Sequence, residues 1–338
     1  MTLSGCAVRG RVWRGGQPQP DFEFDRISDY LSEDDTLVWV DMYEPDEVAL
    51  SDLAQELGLN LWAVEDAVAK SERVKATIYA SHTFFTVYAL DMSVVDVDAQ
   101  PHPMLTKHRI SAFVLERALV TVRLPPDFDI AEVSRRWDEL ETPRYGVAGL
   151  VHGLLDVVVD GHFEAVQVLD ECIEHLADEL FNPPPRATSQ QRTFQRRSYQ
   201  LRKDLGQLRR DVLPMREVVG AMQHRRHDVQ QAPELDPLFI DLYDHVLRVS
   251  EWTESLRDMV STVFETNLSL QDARLNAVMK KLTGWAAIVA VPTAITGFYG
   301  QNIPYPGNGL YWGFVVSSVL IVVIVVGLYV MFKRRDWL

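Results

Sequence analysis

The sequence predicts a mixed α/β cytoplasmic domain followed by a long stalk helix and two transmembrane helices. Three observations predict it. Short β-branched runs alternate with a helical segment between Thr36 and Arg123. No proline interrupts the helical pattern between Pro237 and Pro292. No Asp, Glu, Lys or Arg stands between Lys281 and Lys333.

The strands of the first region, residues 1–145, are read in "TLVWV", "KATIYA", "HTFFTVYAL", "RISAFVL" and "ALVTVRL", with a helix in "DEVALSDLAQELGL". Residues 146–236 read as a helical hairpin. Its first arm has eight acidic residues between Asp156 and Glu179 and no Lys or Arg, and it stops at "NPPP", because consecutive prolines cannot continue a helix. The return arm, Arg186 to Arg226, holds eleven Lys or Arg against three acids, so the two arms are expected to complement each other, with a solvated charged face or contact with anionic membrane lipids as the alternatives. His224 and His227 have a spacing that two metal ligands on one helix use, but Arg225 and Arg226 between them would repel a cation.

The stalk helix is expected over 237–299 and continues into a first span, 282–299; a loop, 300–309, leads to a second span, 310–332, and a basic tail, 333–338. Twenty-three residues at about 1.5 Å each give roughly 35 Å, enough for a hydrocarbon core of about 30 Å. Lys280 and Lys281 precede the first span, Lys333, Arg334 and Arg335 follow the second, and the connecting loop has no Lys or Arg. Positive charge stays inside, so a multi-pass protein of the cell membrane with both termini cytoplasmic is expected. Arg9, Arg11 and Arg14 are not followed by a long apolar run, so no secretory signal is expected.

A formal net charge of −15 argues against nucleic-acid partners. Cys6 and Cys172 have neither metal-type spacing nor a plausible disulfide pattern. No nucleophile elbow, phosphate-binding glycine loop or zinc-protease motif is present, so no enzyme is expected.

Along the stalk, Leu242, Val246, Val249, Leu256, Val260, Val263 and Leu270 form an apolar stripe. Another column reads Asp244, Glu251, Asp258, Glu265 and Asp272, then Met279, Ala286 and Thr293. Beside it run Asn276, Thr283, Ala290 and Gly297. One side of a single helix thus passes from acidic to small and weakly polar, as a pore lining would if several copies surrounded an axis. The alternative is a solvated outer face that is acidic.

"YDH" with "SLRDMVS", "NAVMKKLTGWAAIVAVPTAITGFYGQN", "FKRRDWL" and "VEDAVAKSERVKATIYASHTFFTVYAL" resemble the CorA family of divalent-metal transport proteins over nearly the whole chain. The family's Gly-Met-Asn signature corresponds to Gly300, Gln301 and Asn302, with Gln in place of Met, and the acidic loop that usually follows is replaced by "IPYPGNG". The ZntB-like branch, associated with zinc, also lacks the Met. The resemblance implies a homopentamer with a cytoplasmic funnel, the long helix lining the pore and the second span outside it. It implies a gate near Met279 and Leu282, and a regulatory metal at Asp241 between neighbouring subunits, with Glu65 or Asp66 as partner. The plain alternatives are that Asn302 caps a helix end and that Asp241 is one more surface acid. The expected function is membrane-potential-driven Mg2+ transport with intracellular Mg2+ acting on the gate and Co2+ or Ni2+ as further cargo. Zn2+ transport coupled to protons, or a membrane-anchored sensor that transports nothing, are the competing expectations.

Overall fold

Consecutive side chains of the strand Thr36–Tyr43 are buried on opposite faces. Leu37 and Trp39 join one core; Val38, Val40 and Met42 join another. A strand covered on both sides reads as a continuous apolar run, which is why "TLVWV" is so legible. In the computed structural model, residues 2–3, 6–97, 100–181, 187–228, 233–301 and 307–337 are described, and side chains throughout these except at 2–3, 94–97, 100–103, 181, 187–192 and 226–228.

The strands are β1 (Thr2–Leu3), β2 (Cys6–Arg14), β3 (Gln17–Pro18), β4 (Thr36–Tyr43), β5 (Lys75–Ile78), β6 (Thr83–Val97), β7 (Gln100–Val114) and β8 (Ala118–Arg123). They form one mixed sheet in the order β1-β2-β4-β8-β7-β6-β5, with β3 on β2. Only β4 and β8 pair in parallel, Val40 opposite Val120; the other pairs are antiparallel. β2 was not expected from the sequence. Its apolar residues Val8, Val12 and Trp13 are interrupted by Arg9, Gly10 and Arg11, and Gly10 is needed because a Cβ there would sit 2.4 Å from the Phe22 ring.

Helices α1 (Ile27–Ser32), α2 (Glu47–Leu57) and α3 (Leu61–Val68) cover one face of the sheet, where Leu50, Leu53 and Ala63 meet Phe84, Phe113 and Val120. α4 (Ile130–Glu139) and the first half of α5 (Val147–Phe181) cover the other, where Trp137, Leu150, Leu154 and Val158 meet Trp39, Phe85 and Ile110. Trp137 stands edge-on to both Trp13 and Trp39, with centroids 6.1 and 4.9 Å away.

The basic arm is two helices, α6 (Ala187–Val212) and α7 (Met215–Asp228), because Pro214 has no N–H to continue the first. Among the described residues the complement between arms is narrower than the charge pattern suggests. Arg197 pairs with Glu179 at 2.5 Å, but Asp156 and Asp160 of α5 are taken by Arg136 of α4. Arg209 and Arg202 turn to Glu254 and Ser261 of the long helix α8 (Asp236–Tyr299), and Lys107 of β7 takes Asp211. A charge count along one helix does not show which neighbour its faces meet. α9 (Tyr311–Arg334) completes the chain, which divides into two compact units, Met1–Ser261 and Thr262–Leu338.

Candidate ion pathway and regulatory residues

The buried face in the first part of α8 is set by its heptads. Leu242, Val246, Val249, Leu256, Val260 and Val263 are buried, as the stripe predicts. Thr253 fills the gap in that stripe, fully buried, and tolerates it because its hydroxyl donates to the Val249 carbonyl at 2.8 Å. Seven-residue steps place Asp244, Glu251, Asp258, Glu265 and Asp272 on the opposite side, and all five are exposed.

In the second unit one stripe of α8 is covered: Gly284 and Ile288 are buried, and Ala287, Val291, Ile295 and Tyr299 are half-buried. On α9, Gly313 is buried and Ser317, Ile321, Val325 and Leu328 are half-buried at helical spacing. The residues of the expected pathway, Asn276, Met279, Leu282, Thr283, Ala286, Ala290, Thr293 and Gly297, are all exposed. Large apolar groups, Trp285, Val289 and Phe298, flank this column. Thr293 donates to the Val289 carbonyl at 3.0 Å, and Thr296 to that of Pro292 at 2.8 Å. Such internal bonds let a helix show hydroxyls without leaving a donor unmet in an apolar medium.

At the end of α8, Gly300 donates to the Thr296 carbonyl at 2.8 Å, and Gln301 is exposed. Asn302 lies outside the described residues. Among the described residues of this connection the positive φ angles belong not to Gly300 but to Gly307 and Gly309, at 89° and 76°. A Cβ on Gly307 would press on the Trp312 ring at 2.9 Å, and one on Gly313 would lie 2.4 Å from the Gly307 carbonyl oxygen. The return into α9 therefore depends on glycines that the reading of the signature passed over.

The expected regulatory residues are placed as follows. The Asp241 side chain is 69% exposed, with His245 Nε2 3.7 Å from its carboxylate one turn on. One turn earlier the Leu238 carbonyl meets buried His152 at 3.2 Å. Burial lowers the His152 pKa, while Asp156 and Asp241 pull the other way. Glu65 is exposed, whereas Asp66 is already paired with Lys75 at 2.7 Å, and Lys75 also reaches Glu72. Among the described residues no ion pair or hydrogen bond joins Asp241 to Glu65 or Asp66, and no group of three or more acidic, His or Cys side chains is placed to hold a metal. Buried Arg109 of β7 donates to the carbonyls of Ala67 and Ala69 and fixes the end of the helix that carries Glu65 and Asp66. A lone arginine inside "RISAFVL" was the available signal for it.

Comparison with known proteins gives this arrangement a family. Residues 34–334 match the family described as CorA-like Mg2+ transporter protein. The chain is 28% identical over 287 residues to the cobalt/magnesium transport protein CorA of Thermotoga maritima, covering 83% of this chain and 77% of that protein. It is 26% identical over 287 residues to the zinc transport protein ZntB of Yersinia enterocolitica, covering 81% and 80%. The complete structure of the CorA magnesium transporter of Methanocaldococcus jannaschii superposes with a TM-score of 0.72 at 21% identity, over 97% of this chain and 98% of that one. An α/β domain, one helix that runs from it into an apolar span, a second apolar helix after it and a match along nearly the whole length make this chain a member of the CorA family of divalent-cation transport proteins.

Proposed function

We propose that the chain assembles as a homopentamer that carries Mg2+ across the cell membrane down the membrane potential, with both termini in the cytoplasm. The observation that carries this reading is the face of α8 left open in the second unit: every residue of the small, weakly polar column from Asn276 to Gly297 is exposed, while Gly284 and Ile288 on another face are buried. One helix cannot enclose a path, so copies of that face must surround an axis. In this reading the chain is organised as residues 1–145, 146–236, 237–299, 300–309, 310–332 and 333–338, as its composition suggests.

Mg2+ sheds water reluctantly, so the entrance recognises the hydrated ion by hydrogen bonding. Asn302 supplies a neutral carbonyl acceptor beside Gly300 and Gln301. A carboxylate ring would hold ions more tightly and slow their exit. Two charges moving through 100 mV release roughly 4.6 kcal/mol, so no nucleotide is needed. Met279 and Leu282 form the apolar gate, and intracellular Mg2+ at Asp241 and a neighbouring subunit's carboxylate holds it closed. Glu65 is the better-suited partner, because Asp66 is neutralised by Lys75.

Zn2+ transport coupled to protons is the second reading, favoured by Gln301 at the Met position and by the ZntB relative. Flux into proteoliposomes, with Mg2+, Co2+, Ni2+ and Zn2+ compared at fixed potential and fixed pH gradient, separates the two. Mg2+ flux that follows potential and ignores the pH gradient supports the first; Zn2+ flux that needs the gradient replaces it with the second.

A further inference from the structure

Beyond the ion path, the end of α9 is folded in a way that ion conduction does not explain. The Arg335 amide donates back to the carbonyls of Met331 and Phe332, both at 3.2 Å, and Asp336 takes a left-handed φ of 54°. The Trp337 amide then donates to the Phe332 carbonyl at 3.0 Å. Its indole stacks on the Phe332 ring, with centroids 5.5 Å apart and planes 14° from parallel. Donors returned to the last turn satisfy the helix's terminal carbonyls, and the amphipathic indole is pinned where the apolar run ends.

That fold leaves a dense positive charge, whose one ring contact among the described residues is Lys333 Nζ 5.9 Å from the Tyr329 centroid. Lys333, Arg334 and Arg335 occupy consecutive positions, so their side chains fan around the end of α9. On the proposed topology, with both termini in the cytoplasm, the span that begins after Lys280 and Lys281 and the span that ends at Lys333 leave all five cations on the same side of the membrane. All five cations are exposed, and among the described residues none is in an ion pair. Asp336 is the sole acid after Asp272, in a chain whose net charge is −15. Just above the cations, Val326 and Val330 are exposed on the apolar part of α9.

We infer that Lys333, Arg334 and Arg335, with Lys280 and Lys281, form a seat for the phosphate headgroup of an anionic phospholipid whose acyl chain lies along α9. Guanidinium groups match phosphate oxygens two at a time, and cations at this depth are attracted to an anionic leaflet. A lipid is favoured over free phosphate because the charge borders an exposed apolar surface that an acyl chain would cover.

The test uses the full chain in a neutral detergent, titrated with phosphatidylglycerol or phosphatidylcholine, with retained lipid counted by native mass spectrometry. Wild-type protein retains phosphatidylglycerol in preference. Each cation near the surface contributes about 1 kcal/mol, so Arg334→Gln with Arg335→Gln weakens phosphatidylglycerol binding about thirty-fold. Arg334→Lys with Arg335→Lys, which keeps the charge and guards against misfolding of the neutral variant, retains most of it. Equal retention of the two lipids by the wild type, or unchanged binding in the Gln variant, overturns the proposal. So does displacement of the lipid by millimolar inorganic phosphate, which would mark a simple anion site. Ion flux is a separate readout, so failure here leaves the transport reading intact.

Discussion

Arg123 and Asp41 face each other across the one parallel strand pair, Nη2 2.7 Å and Nε 2.9 Å from the two carboxylate oxygens, with both side chains almost fully buried. Thr121 donates to the same carboxylate at 2.8 Å, and the Trp39 indole donates to Thr121 at 3.1 Å. Arg123 also reaches the Phe128 carbonyl at 2.6 Å. The pair thus ties the end of β8 to the turn that leads into α4.

Removing one member leaves a buried charge without its partner. Arg123→Met is expected to cost about 3–5 kcal/mol, and replacing both residues with apolar groups much less. Equilibrium denaturation of the single and the double variant, followed by tryptophan fluorescence, reads this directly. A double variant as unstable as the single one would mean that the hydrogen bonds to Thr121 and Phe128, not the uncompensated charge, dominate.

At the entrance, Asn302→Ala is expected to abolish divalent uptake while leaving the oligomer intact. Gln301→Met is expected to change rate or selectivity only modestly, since either side chain can support the Asn ring from beside it. Ion flux together with sizing chromatography checks both. A Gln301→Met protein that switches from Zn2+ to Mg2+ would assign the chain to the zinc branch.

Thr293→Cys and Ala290→Cys, in a Cys172→Ser background, should lose about ten-fold of their flux on reaction with a charged thiol reagent, because the added group would occupy the proposed lumen. Val322→Cys on α9 should lose little. Cys6 can stay, since it is fully buried. Block at Val322 with none at Thr293 would move the pathway to the other helix.

Regulation is tested at Asp241. If Mg2+ bridges carboxylates between subunits, Asp241→Lys supplies a fixed positive charge in place of the ion, and closure becomes less dependent on Mg2+. The readout is protease protection of the cytoplasmic region with and without Mg2+. Protection that still tracks Mg2+ as in the wild type removes this residue from the sensor.

Burial lowers the His162 pKa to about 4, and its Nε2 lies 2.8 Å from the Tyr88 carbonyl, a partner that suits the neutral N–H form. Above an unfolded pKa of about 6.5 the group is neutral in both states. Between 6.5 and about 4 the unfolded chain binds a proton that the folded chain refuses, so stability falls as pH falls. His82 and His152 are shifted in the same direction, while Asp204 and Asp211, raised by burial, act with the opposite sign. His162→Gln should therefore flatten the acid limb of the stability curve by about 1 kcal/mol per pH unit relative to wild type. Parallel curves would show that His162 does not contribute.

What the sequence determined by itself was whatever a short-range period or an unbroken run can encode. The doubly covered strands, the stripe from Leu242 to Val263 and the two uncharged spans need only the geometry of one element to be read, because burial is imposed on each at a fixed step. The motifs from "VEDAV" to "FKRRDWL" carried the family in the same linear way. Tertiary structure decided what depends on neighbours far along the chain. Whether Arg209 faces the acidic helix or α8, and that Lys75 neutralises Asp66, could not be read from charge counts, because a salt bridge is specified by two positions and the space between them. The same holds for Arg109 at the end of α3, Thr253 in an apolar seam and Gly307 under Trp312, where a residue that breaks the local pattern is explained by one contact that only folding creates.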